Sequence, residues 1–231
     1  MWMPTTKKTM TSDSFYSTTP EPALRFGDIV QGCVGATPKI SLVQAGEGKD
    51  DGQGRETKFE IEVQRPNYSV ILTPCCEISG EFLLTAPLEP ISNAKWLDNP
   101  FISEDFLRIN EIMTREQAMP PAAWSQLPPD MRARAQNEPP GYAFKSYFIY
   151  PGRTSLCRVL PAYELKQTVV DFYAIDFRQT AVLKHDLKQV QKHVSGQKYM
   201  QMSPQARETL RLKLSDYYRK APDEDRVLLA T

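Results

Sequence analysis

Apolar and polar positions alternate along residues 26–92 in short runs that read as strands. GDIVQGCV sets Ile29, Gln31 and Cys33 against Val30, Gly32 and Val34, and KISLVQ at 39–44 is a second run. KFEIEV places Phe59, Ile61 and Val63 on one face, whereas NYSVILT is nearly continuous, the pattern of a strand buried on both sides. EFLLTAPL continues the series. Between the second and third runs, AGEGKDDGQGRET (45–57) holds four glycines and many charges and predicts a mobile loop. Short strands at close spacing, broken by Gly and Pro, predict a small β-barrel over about 24–92.

Residues 93–141 change period. In SEDFLRINEIM, Ser103 reads as a helix cap, acidic residues follow in the first turn, and Phe106, Ile109 and Met113 recur at helical spacing. Three Pro-Pro pairs in AMPPAAWSQLPPDMRARAQNEPPG limit that stretch to short helical turns and extended pieces. Trp124, Leu127 and Met131 are packing residues, which favours an insertion lying over the barrel above a partner-binding arm. Strands return over 142–184 in YAFKSYFIYP, CRVLP, TVVDFYAIDF and QTAVLK. There Phe172, Ala174, Asp176 and Arg178 share one side, opposite Tyr173, Ile175 and Phe177. Near the end Ser203 caps a helix with Pro204 at its first position, and Leu210, Leu214, Tyr217 and Tyr218 form its apolar stripe. The expectation is an α+β chain with one elaborated barrel domain over 23–220. It carries a helical, Pro-rich insertion (93–141) and C-terminal helices (185–220), between a disordered tail at 1–22 and a second tail at 221–231.

Composition narrows the function classes. With 231 residues and 41% hydrophobic, the chain can build a core, and wholesale disorder is excluded. Lys+Arg and Asp+Glu balance at 28 each, which argues against a surface that grips nucleic acid all round. Residues 184–220 hold nine Lys/Arg against three Asp/Glu, with Tyr199, Tyr217 and Tyr218 interleaved. A solvated amphipathic helix explains that bias better than a nucleic-acid arm. No apolar run approaches the ~18–20 residues of a membrane span, and residues 1–22 lack the apolar centre of a secretory signal. A cytoplasmic protein with no membrane partner is expected.

The cysteines are Cys33, Cys75, Cys76 and Cys157, with no C-x-x-C pair, and are expected to be reduced thiols. Neither a metal nor a cofactor is assigned. In TPCCEIS, Pro74 stops a buried run, leaving Cys75, Cys76 and Glu77 at a strand end. A thiol nucleophile or a metal ligand is one reading. A structural strand end is preferred, because the only histidines, His185 and His193, lie in a polar helix. Asp176 and Arg178 read as a buried ion pair that fixes register. A convergence of Asp28, Glu77 and Asp176 on a divalent ion has no supporting spacing.

FGDIV (26–30) and RPNYSVILTPC (65–75) together resemble the MazF/PemK (CcdB-like) toxins over about 26–85. The resemblance implies an SH3-like β-barrel core and a metal-independent endoribonuclease for single-stranded RNA. It makes Arg65 and Thr73 the matching catalytic positions, a guanidinium for the phosphorane charge and a hydroxyl for a non-bridging oxygen. Dimerisation through an open barrel edge also follows from it. The chain departs from the family by its twofold length, by the extra KFEIEV segment, and by the acidic Glu47, Asp50, Asp51, Glu56, Glu60 and Glu62 beside the expected RNA face. The whole order of segments also looks like bacterial proteins of accessory or defence-type operons. The preferred expectation is therefore a non-catalytic interaction module with a protein or nucleic-acid partner, the ribonuclease toxin being the alternative.

Overall fold

The run expected to be buried on both sides becomes the middle of the main sheet. In the computed structural model, residues 15–31, 35–43, 56–91, 98–103, 105–152, 163–165, 168–170, 172–184 and 198–219 are described. The first strands are β1 (Ile29–Gln31), β2 (Gly35–Val43), β3 (Glu56–Gln64), β4 (Tyr68–Ile71), β5 (Phe82–Pro87) and β6 (Glu89–Pro90). They are followed by β7 (Tyr147–Pro151), β8 (Tyr163–Leu165), β9 (Thr168–Val170), β10 (Phe172–Asp176), β11 (Ala181–Lys184) and β12 (Lys198–Met200). One antiparallel sheet runs β11-β5-β4-β1-β12, a second β6-β10-β7, and β2-β3 and β8-β9 pair alone. Ile29 lies opposite Val70, so GDIV and YSVI are hydrogen-bonded neighbours.

Both faces of the main sheet are covered. On one, Ile29, Val70 and Leu72 meet Phe148, Tyr150, Tyr173 and Ile175 of the second sheet. On the other, Val30, Ile71 and Leu83 pack with Leu24 and Ile78. Neighbouring side chains of β4 point opposite ways, so Val70 and Ile71 are buried in different clusters, and Ser69 is buried as well. Among the described residues β11 and β12 remain as sheet edges and no barrel closes. The α+β class stands.

Several expectations need correction. The tail assigned to 1–22 ends early, because Phe15 and Tyr16 are buried in the main core. Tyr16 bridges to Met202, and its hydroxyl donates to the Pro151 carbonyl at 2.8 Å. Ile61 and Val63 share a face as expected, but they are 71% and 52% exposed, and Glu60 and Glu62 are exposed as well. The described side chains of β3 therefore cover no core here.

Ser103 is the last residue of α1 (Pro100–Ser103), not the cap of a long helix. Asp105 caps instead, its carboxylate accepting the Leu107 N–H at 2.9 Å, and the element it starts is a 3₁₀ helix, Phe106–Asn110. Asn110 stops it, because its amide exchanges two hydrogen bonds of 2.8 and 2.7 Å with the Ile149 backbone in β7.

The Pro-Pro pairs act as expected locally, since α2 (Pro121–Gln126) and α3 (Pro129–Asn137) each start on the second proline of a pair. Neither helix has a buried residue, and Met131 is exposed. The expected cover over the core fails because PDMRARAQN has polar residues all round.

The last helix, α4 (Pro204–Tyr218), starts as its sequence predicts, with the Ser203 hydroxyl accepting the Ala206 N–H at 3.2 Å, and Leu210 is buried, but Tyr218 of the expected apolar stripe is exposed. Lys213, one of the basic residues of this stretch, is buried. Residues 1–14, most of the 45–57 loop, CRVLP, Cys33, Cys157, His185, His193 and 221–231 lie outside the described residues. Among those described, no helix is long and apolar enough to cross a membrane.

Candidate functional site: a groove between the thiol turn and the last helix

Pro74 has no N–H to continue the sheet, so the chain leaves it after Thr73 and winds through a tight turn. The Glu77 N–H donates to the Pro74 carbonyl, and the Gly80 N–H to that of Glu77, each at 2.9 Å. Ile78 is drawn into the second core cluster, which turns Cys75, Cys76 and Glu77 outward, all three exposed. The Phe26 N–H donates to Cys75 Sγ at 3.4 Å, and the Arg25 guanidinium lies beside the same sulfur.

Facing this turn is α4. Arg207, Arg211, Leu214 and Tyr218 succeed one another at three- and four-residue steps and so share one helix face. Between helix and turn is a groove of about 680 Å³, its floor formed by Phe26, Leu72 and Leu214 and its wall by Cys75 and Cys76. A smaller depression of about 460 Å³, lined by Pro22, Leu24, Arg25 and Ile78, opens on the other side of Cys75. Cys75 therefore stands in the wall between the two.

Guanidinium groups are the main charges. Arg25 pairs with Glu21 at 2.5 Å and Arg211 with Glu208 at 2.7 Å. The Arg25 guanidinium holds the Glu21 carboxyl below the usual carboxylate range, and Glu21 chiefly raises Arg25 in return. Arg207 Nε is buried with no hydrogen-bond partner.

Behind the groove, the GDI word has a structural role. Gly27 has φ +83°, and a Cβ there would fall 2.5 Å from Met202 Sδ. That backbone conformation favours glycine. Buried Asp28 accepts the Arg25 N–H at 2.8 Å and pairs with Lys198 at 2.7 Å. Lys198 also donates to the Glu21 and Ala23 carbonyls at 2.8 and 2.7 Å, so the pair stitches residues 21–28 to β12. Burial outweighs Lys198 and pushes the Asp28 carboxyl up to about 6.

Other expected site residues lie apart. Arg65 precedes β4 and Thr73 follows it, with the length of the strand, about 13 Å, between them. Arg65 is exposed. Thr73 is 5% exposed, and its hydroxyl oxygen accepts the Leu84 N–H at 2.7 Å. Asp176 and Arg178 do pair, at 2.6 Å, but Arg178 is exposed, so the pair is not the buried one expected. Arg178 also lies over the Tyr147 ring and donates to its hydroxyl, tying the end of β10 to β7. Glu77, of the Asp28, Glu77 and Asp176 trio that spacing does not support, faces solvent, and among the described residues no three Cys, His, Asp or Glu side chains could share a metal. A cleft of about 460 Å³ between 113–118 and 138–147 is lined by an Arg115–Glu138 ion pair at 2.8 Å and holds none of the expected site residues.

The sequence pattern singles out Cys75 and Cys76 but not their surroundings. Arg207 and Arg211 stand there only as part of a basic stretch, although their four-residue spacing puts them on one helix face. Nothing in the sequence links Arg25 or Phe26, the first residue of FGDIV, to Cys75, since their nearness comes from long-range pairing of β1 and β4. Comparisons with protein-family models, curated proteins and solved structures gave no match.

Proposed function

We propose that the chain is a non-catalytic interaction module that binds a protein partner through the groove between the 74–76 turn and α4. The observation carrying this reading is the groove's composition: an apolar floor with Arg207 and Arg211 along its helical wall. An acidic partner segment with one large apolar side chain complements it, the side chain displacing water from the floor and its carboxylates meeting the guanidinium groups. A defence-type or accessory role in a bacterial cell is consistent with such a module. The SH3-like reading draws support from the pairing of β1 with β4, which brings FGDIV beside the strand that follows RP. The ribonuclease alternative has its Thr73 hydroxyl buried, 5% exposed, with the oxygen accepting the Leu84 N–H, which holds it away from an RNA on the surface.

The test is capture of partners by the wild type and by a Tyr218→Ala/Arg211→Glu variant, followed by binding measurements with the purified partner. Both residues line the groove and are exposed, so the variant should fold. Binding weakened roughly tenfold or more, the effect of losing an interface anchor and reversing a charge, supports the module. Equal binding by both proteins refutes the groove as the interface. Cleavage of single-stranded RNA, lost in Arg65→Ala and Thr73→Ala variants that remain folded, would replace this reading with the ribonuclease.

A further inference from the structure

We propose that Cys75 is a modification site for small anionic disulfides, which the groove's guanidinium groups gather and the thiol captures as a mixed disulfide. Three observations converge on it. Cys75 is a free, exposed thiol. Its sulfur is oriented by the Phe26 N–H at 3.4 Å and stands in the wall between two depressions large enough for a peptide-sized ligand. Arg25, Arg207 and Arg211 line those depressions, against the carboxylates of Glu21 and Glu208. Glu21 and Glu208 each pair with one guanidinium group and Asp28 pairs with Lys198, so Arg207, which also acts on Glu21 and Asp28, is the one charge of this set left over, its buried Nε without a hydrogen-bond partner. Glu77, in the same turn, lines neither depression.

The step is thiol–disulfide exchange. The Cys75 thiolate attacks one sulfur of the incoming disulfide, a new S–S bond forms to Cys75, and the old S–S bond breaks. The other half departs as a thiolate and takes up the proton that Cys75 released. Cys75 is oxidised and the departing half reduced, so no further oxidant is needed. Cys76 is badly placed to resolve the product. Neighbouring residues across a trans peptide have Cα atoms ~3.8 Å apart, below the ~4.4–6.8 Å of ordinary disulfides. Cys76 therefore does not release the bound half. Carboxylates on the disulfide would meet Arg25, Arg207 and Arg211, so capture should favour anionic over neutral reagents.

The inference rests on the groove and its thiol, not on the proposed occupant, so it can fail or hold while the partner reading does the opposite. The experiment treats the reduced full chain with glutathione disulfide, which is anionic, and with 2-hydroxyethyl disulfide, which is neutral. Each rate is followed by intact mass, normalised to that of the same reagent on the urea-unfolded chain, and the adduct is located by peptide mapping. One adduct at Cys75 is expected, with a normalised preference for the anionic reagent of roughly tenfold that shrinks as salt rises. The adduct should be lost in Cys75→Ser and kept in Cys76→Ser. The preference should fall in Arg25→Gln and in Arg211→Gln, both exposed enough to change without unfolding the chain. No adduct on the folded chain, adducts chiefly at another cysteine, or equal normalised rates for the two reagents would overturn the proposal.

Discussion

Burial sets the protonation of two side chains, and they act on stability in opposite directions. Asp28 moves from 3.8 to about 6 on folding, with desolvation outweighing Lys198 and Arg207. Between those values the folded chain holds a proton that the unfolded chain has released. This contribution to stability therefore falls as pH rises through the window, by about 3 kcal/mol in all. Stability measured by urea unfolding for the wild type, relative to Asp28→Asn, should decline from pH ~4 to ~6. A difference that rises over that range would refute the assignment.

Lys213 behaves inversely. Its ammonium is buried, donates to the Ile109 carbonyl, lies 5.4 Å from the Tyr142 ring centroid, and is pushed down from 10.5 to about 7 by desolvation, with Asp216 opposing. Between those values the unfolded chain binds the extra proton, so stability rises with pH. Lys213→Met should therefore raise the melting temperature below pH 7 and lose that advantage as pH climbs towards 10.5. Thermal unfolding across that range checks it.

At the scale of elements, turn and cap chemistry decides what the apolar pattern leaves open. Asp105→Ala removes the carboxylate that accepts the Leu107 N–H and should cost about 1 kcal/mol. Met131→Glu, on a helix that buries nothing, should stay within about 0.5 kcal/mol of wild type. Urea unfolding of the two variants side by side separates a cap in use from a helix resting on the surface.

The same contrast explains how far these elements are legible in the sequence. β4, β7 and α4 follow from their residues, because continuous apolar runs and a Ser-Pro cap report burial and helix starts directly. The spacing of Phe106, Ile109 and Met113 places them inward correctly, but it overextends the helix containing them, since Asn110 binds a β7 backbone that local pattern cannot see. The Phe15-Tyr16 pair is hidden for a similar reason. Two aromatics in a Ser/Thr-rich stretch give no periodicity, and their place in the core depends on contacts with β7 and with Met202. Of the candidate site, the thiols are visible as chemistry, while the arginines around them become a site only through the fold.

At the scale of the whole molecule, β1 and β4 separate two apolar clusters and belong to both. Ile29 and Val70 face one, Val30 and Ile71 the other. Their backbone groups are also engaged: the Ile71 N–H donates to the Asp28 carbonyl at 3.0 Å and the Leu72 N–H to that of Leu84 at 2.8 Å. Neither cluster can loosen without losing a wall it shares with the other, so the two should open as one cooperative unit. Amide hydrogen exchange at residues 70–72 should then proceed only through global unfolding, with an opening free energy equal to that from urea. The amides of α2 and α3, which cover no core, should exchange through local opening at far lower cost.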